Sequence, residues 1–256
     1  MTNADIITIT TIITYIFMFF ASLWFGNFIT SFYFRIPRGI PLNGRTHPPM
    51  CSTCGVKLKY PDYGPLYYYL FRGKCCKVCG SEIPKEYFIM ELFASITIMT
   101  AFVVHGLSDK SCFMVFTIIA LILNITINAK HGRLPEKSLW ILLVAVLVYV
   151  MFSFKYESDI LFLLVINTAI GFFAAGTFAK VLKTETPEGY IPMIAILGIL
   201  HSPTVSSCLF GGTIVALFVS QKLKRNIAIK HFMTFLLASS IVIVIANISF
   251  PLLILK

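Results

Sequence analysis

The chain has 256 residues, of which 57% are hydrophobic and only 12% charged, with a mean hydropathy of +0.85 and a formal net charge of +10. Soluble domains carry about 25% charged residues, so these figures exclude one. In so apolar a chain the positive charge points to loops facing anionic lipid rather than to nucleic acid, and the class left is an all-α polytopic membrane protein.

A spanning helix needs about 20 apolar residues. The first candidate runs from about Ile6 to Phe32 and stops at Arg35; it lacks a cationic start and is too long for a signal-peptide core, so it is expected to remain as a span. After a polar interval come Tyr87–His105 and, beyond the hairpin HGLSDKS, Cys112–Ile127. NAKHGRLPEK, residues 128–137, leads to a fourth span near Ser138–Phe154, and KYESD turns the chain into a fifth, Ile160–Phe178. Tyr190–His201 offers only about 18 Å of helix against a hydrocarbon core of about 30 Å. Ser206–Ser220 and Phe232–Ile254 follow, giving about eight transmembrane helices, or seven and a half-helix. The segments are a first transmembrane helix, 1–32, a loop, 33–86, and a membrane domain, 87–256.

The loop carries five of the seven cysteines. Cys51, Cys54, Cys76 and Cys79 form two C-x-x-C knuckles, which suits a four-thiolate zinc site with no open position, structural rather than catalytic. Two disulfides in an oxidising compartment are the alternative, and Cys75 rivals Cys76 as a ligand. His47, four residues before Cys51, is a less needed ligand. Tyr67, Tyr68, Tyr69 and Phe71 form an aromatic run suited to the headgroup layer. Cys112 and Cys208 are expected to be packing residues, His105, His131 and His201 interfacial, and Gly211-Gly212 a helix-packing pair.

With the loop on the cytoplasmic side, residues 33–86, 128–137, 179–189 and 221–231 share that side and carry nine, three, two and four lysines and arginines, eighteen of the chain's 21. The positive-inside rule therefore places the loop in the reducing cytoplasm and both termini outside. At the inner mouths of the spans, Asn128, Glu136, Glu185 and Glu188 are the candidates for chemistry, since polar groups at such depth need a role or a partner. Their alternative is to be loop residues in water.

Four stretches resemble the type IV prepilin leader peptidases, membrane aspartic endopeptidases. FGNFITSFYFRIP is similar to the family's G-S-F-L-N-V-x-x-x-R-L-P. RTHPPMCSTCG, GPLYYYLFRGKCCKVCG and PKEYFIMEL resemble its zinc loop and the Y-x-x-x-E-L that leaves it, with one residue, Cys75 or Cys76, inserted. INAKHGRLPEKSL resembles I-D-x-x-x-x-x-x-P-D-x-L, and GYIPMIAILG is similar to G-D-x-K-x-x-x-x-x-G, chiefly through its two glycines. The resemblance implies cleavage of prepilin or pseudopilin leaders at the bacterial inner membrane by two aspartates sharing a proton. It also implies, for many members, methylation of the new N-terminus with S-adenosylmethionine. Carried onto this chain, the aspartates fall on Asn128 and Tyr190, the motif lysine on Pro192, and the second aspartate of the first motif on Glu136. An amide has no proton to exchange and a tyrosine of pKa about 10 is a poor base.

Three readings follow: a prepilin peptidase, with Glu136 and Glu188 as relocated acids; a non-catalytic member acting as a scaffold or binding protein in pilus or secretion assembly; and a transporter, which the nearly uncharged spans disfavour.

Overall fold

The computed structural model describes residues 3–43, 47–58, 64–71, 73, 75–153, 160–182, 186–201, 203–222 and 229–246. Glu185, Asp62, Lys155, Asp159 and the end of the last expected span lie outside them. The described residues form α1 (Asn3–Arg35), a 3-10 turn (Ile36–Arg38), α2 (Pro65–Phe71), α3 (Lys85–His105), α4 (Asp109–His131), α5 (Glu136–Ser153), α6 (Ile160–Leu182), α7 (Tyr190–Leu200), α8 (Pro203–Lys222) and α9 (Ile229–Ala246). The all-α membrane class stands. Among the described residues five helical stretches are long and apolar enough to cross a membrane: Thr8–Arg38, Lys85–His105, Asp109–His131, Leu164–Val181 and Ile229–Ala246. The expected eight are not reached by that measure: Tyr190–Leu200 and Val205–Leu217 are shorter apolar stretches, and α5, the expected fourth span, is not among the five.

The chain divides into two compact units, Met1–Val104 and His105–Lys256. In the first, α1 and α3 approach closely where small residues allow it. A Cβ on Gly26 would lie 2.7 Å from Ser95 Oγ and 2.9 Å from Glu91 O, and Ser95 Oγ lies 3.2 Å from Ser22 O. Small side chains are the usual means of bringing helices together in lipid. The aromatic run of the loop is helical as α2, held against α3 at two points. Leu66 N–H donates to the buried carboxylate of Glu91 at 2.5 Å, capping the short helix, and Tyr69 stacks on Phe88 with ring centroids 4.8 Å apart.

In the second unit α4 is the most enclosed long helix, packed against α5 and α9, while α6 packs on α7 and α8. Its limits come from capping rather than from polarity. Ser108 and Ser111 form a reciprocal capping box at the start, and Gly132, with φ of 64°, accepts the left-handed turn that ends it. Asn128, expected at the edge of a polar loop, is therefore inside the helix and fully buried.

His201 is buried, with Nε2 2.8 Å from Ser240 Oγ. Two smaller expectations are corrected. Cys112 and Cys208 are exposed on the protein surface. A Cβ on Gly211 or Gly212 would meet nothing within 4 Å, so neither is a packing glycine; that role belongs to Gly171 on α6 and Gly198 on α7, where a Cβ on Gly198 would stand 2.5 Å from Gly171 Cα.

Candidate functional site

Asn128 and Tyr190, the two positions that the resemblance assigns to the catalytic pair, meet in space. Tyr190 Oη donates to Asn128 Oδ1 at 2.6 Å, with Gly132 O 3.2 Å away. Asn128 Nδ2 donates to Lys230 O at 2.9 Å and to Thr234 Oγ1 at 3.0 Å. Both side chains are wholly buried, and α4, α7 and α9 are joined through them.

The two glycines of the weakest motif account for this placement. Gly189 has a φ of 84°, a conformation that L side chains rarely adopt, and its Cα packs directly on the backbone of Leu134. Beside it Leu134 N–H donates to Glu188 O at 2.9 Å, which sets α7 next to the end of α4. Gly198 sets the other end by its close approach to α6. Pro192 is an exposed residue in the first turn of α7, where its missing N–H has no helical partner to lose.

The arrangement is a neutral phenol–amide pair with its donors used. It offers neither a general base nor an acid that exchanges a proton with water. Glu136 and Glu188 are exposed and engaged elsewhere: Glu136 Oε1 accepts from Trp140 Nε1 at 3.1 Å, and Glu188 Oε2 lies 3.6 Å from Arg133 Nη1 in a surface ion pair.

The loop of the first unit builds a second cluster. Cys51 N–H donates to Val56 O at 2.9 Å and Gly55 N–H to Cys51 O at 3.0 Å; a shift of 25 residues gives Cys76 N–H to Ser81 O at 2.8 Å and Gly80 N–H to Cys76 O at 2.9 Å. Gly55 and Gly80 have φ of 70° and 68°, and isolated antiparallel bridges, Met50 with Lys57 and Cys75 with Glu82, close the two turns. Cys75 thus occupies the place of Met50, before the knuckle, and Cys76 that of Cys51. The sequence signal for this repeat was the glycine after each C-x-x-C.

The Sγ atoms of Cys51, Cys54, Cys76 and Cys79 lie within 4.8 Å of one another, with Cys51–Cys79 and Cys54–Cys76 each at 3.9 Å. A tetrahedron with metal–sulfur bonds of about 2.3 Å has edges of about 3.8 Å, so these residues fit one metal ion. Partial burial pushes the Cys51 thiol up, but the N–H groups of Cys54 and Thr53, with the Ser81 hydroxyl, bring it down to about 6. The Ser81 hydroxyl and N–H also lower Cys79. Cys54, although Val56 N–H draws it down, is raised to about 11 by loss of water and by the sulfurs of Cys79, Cys51 and Cys76. Four adjacent thiols resist holding four negative charges by themselves, and a dication removes that resistance.

Residues 20–105 match the family model described as the Bacterial Peptidase A24 N-terminal domain. The prepilin leader peptidase/N-methyltransferase of Vibrio cholerae serotype O1 is 29% identical over 138 residues, 50% of this chain and 53% of that protein. The protein of the same description from Dichelobacter nodosus is 29% identical over 110 residues, 41% of this chain and 38% of its own length. The chain therefore spans about half or less of the length of these curated relatives. No solved structure matches. The comparisons support the prepilin peptidase family, as the motifs implied.

Proposed function

We propose that this chain is a prepilin-peptidase-like membrane protein that holds type IV pilin-like precursors at the inner face of the bacterial cytoplasmic membrane without cleaving them. One observation supports the reading: Tyr190 and Asn128, onto which the resemblance carries the two aspartates, are bonded to each other at 2.6 Å in a buried site. Peptide hydrolysis by this family's route needs two carboxylates that share one proton, one to activate water and one to protonate the carbonyl. The retained scaffold with replaced acids favours binding over catalysis, since fold and chemistry separate in this way.

In the same reading the four cysteines hold one structural zinc, which fixes the turns of the 33–86 segment, and the distribution of lysines and arginines supports a cytoplasmic loop with both termini outside. The relatives' names join methyl transfer to peptidase action, so S-adenosylmethionine belongs in the test as a second co-substrate.

The test is co-expression with a prepilin in a host lacking its own prepilin peptidase. The expected result is a full-length, unmethylated precursor that co-purifies with the protein. Cleavage by the wild-type chain would sink the reading, and its loss in Glu136→Gln or Glu188→Gln would assign it to relocated acids. Cleavage appearing only in Asn128→Asp with Tyr190→Asp would show a substrate groove that lacks just its acids.

A further inference from the structure

The first unit contains a cavity of about 570 Å³, partly open, with Trp24, Phe28, Ser31, Arg35, His47 and the exposed Glu82 in its wall. Arg35 is only 5% exposed. Its Nη1 donates to Pro41 O at 3.2 Å and its Nη2 to His47 O at 2.6 Å, both neutral backbone acceptors, and among the described residues no carboxylate pairs with it. Burying a charge without a counter-charge costs several kcal/mol, and two carbonyls recover only part of that. The guanidinium has five N–H groups in a planar fork that matches phosphate oxygens, so the cavity wall contains an under-used anion receptor.

Part of the cavity wall is aromatic and continues along α1. Phe17, Phe20, Trp24 and Phe28 recur at intervals of three and four residues, which puts them on one face of α1, and all four are exposed. Trp24 and Phe28 pack edge to face, centroids 4.5 Å apart, where this stripe enters the cavity. From Phe17 to Phe28 the helix rises about 16 Å. An exposed aromatic track on a membrane-spanning helix thus leads to a cavity containing a buried, unpaired cation. Those are the two halves of an anionic phospholipid.

We propose that this cavity binds an anionic phospholipid of the surrounding membrane, its phosphate paired with Arg35 beside Ser31, and an acyl chain lying along Phe28, Trp24, Phe20 and Phe17. The site is separate from the Asn128–Tyr190 pair and does not depend on whether the protein cleaves precursors.

The experiment uses the full chain, delipidated in detergent, with Trp140→Phe so that Trp24 is its only tryptophan. Trp24 emission is followed while short-chain phosphatidylglycerol, short-chain phosphatidylcholine or inorganic phosphate is added. The expected result is a saturable change with phosphatidylglycerol, binding about tenfold weaker with phosphatidylcholine, and no change with phosphate alone. Arg35→Gln should weaken phosphatidylglycerol binding about tenfold, as loss of a charge-assisted bond does, and Arg35→Lys should restore part of it. Because Arg35 also ties down the loop, metal content is measured for every variant. Should Arg35→Gln lose its metal, Ser31→Phe, which puts a ring where the phosphate would sit without touching those ties, decides the matter by abolishing the response. Equal affinity for the two lipids, saturation by inorganic phosphate (a small-anion site only), or unchanged lipid binding in Ser31→Phe or in metal-retaining Arg35→Gln would overturn the proposal.

Discussion

Tyr190→Phe isolates the bond on which the reading of the site rests. The ring keeps its volume and packing, so the loss is confined to one hydroxyl. Gly132 is partly exposed, whereas Asn128 Oδ1 is left buried without a donor. A stranded buried acceptor costs about 1–3 kcal/mol, while intramembrane hydrogen bonds average about 0.6 kcal/mol with a maximum near 1.7 kcal/mol. The short distance and complete burial favour the upper part of the second range, so we expect a coupling of about 1–1.7 kcal/mol, roughly a tenfold change in the unfolding equilibrium. The assay is a double-mutant cycle of Tyr190→Phe, Asn128→Leu and both together, unfolded by denaturing detergent in mixed micelles. Removing both partners should cost clearly less than the sum of the single losses. Strict additivity would mean that the two side chains share no bond, and the placement of both family positions at one point would fall with it.

Gly198→Ala sets a Cβ against backbone of Gly171, which cannot rotate away, and should destabilise by about 1–3 kcal/mol. Gly212→Ala, with open space around it, should be neutral or gain up to about 1 kcal/mol from helix propensity; equal thermal midpoints in detergent would contradict the packing argument. The purified protein should contain one zinc per chain by elemental analysis, lost in Cys76→Ser and kept in Cys75→Ser, since only Cys76 joins the cluster; the opposite pattern would exchange their roles. Glu91→Ala removes the cap of α2 and should cost about 1 kcal/mol locally, read as faster limited proteolysis within residues 64–71 with the zinc retained. An unchanged cleavage rate would show that Glu91 does not hold the helix.

The sequence was most informative where one physical constraint acts locally. Thiolate pairs at C-x-x-C spacing announce a cysteine cluster that could hold a metal, and hydrophobic runs long enough for a bilayer announce spans. Polarity, however, marks where a chain meets water, and α4 ends instead where Gly132 permits a left-handed turn, one turn past Asn128. The aromatic run at Tyr67–Phe71 gave no helical signal because α2 depends on Glu91, twenty-five residues beyond Leu66, for its cap. Gly189 and Gly198 were visible only as punctuation, for the contacts that require them belong to Leu134 and Gly171. The burial of His201 was hidden for the same reason: its partner Ser240 lies on α9.

These tertiary contacts give an amide at Asn128 and a phenol at Tyr190 a physical logic. Two carboxylates at a fully buried junction of α4, α7 and α9 would have to share a proton and exclude water from charge, which strains any fold that houses them. A phenol donating to an amide oxygen, with the amide donating to Lys230 O and Thr234 Oγ1, links the same helices with neutral groups and carries no such penalty. On the proposed reading, an acid pair here would trade that closed junction for reactivity, and stability and activity are commonly opposed in this way. Substitution to two aspartates should accordingly lower the unfolding midpoint even if it creates cleavage. A double aspartate variant that was both active and as stable as the wild type would separate the two effects and refute that exchange.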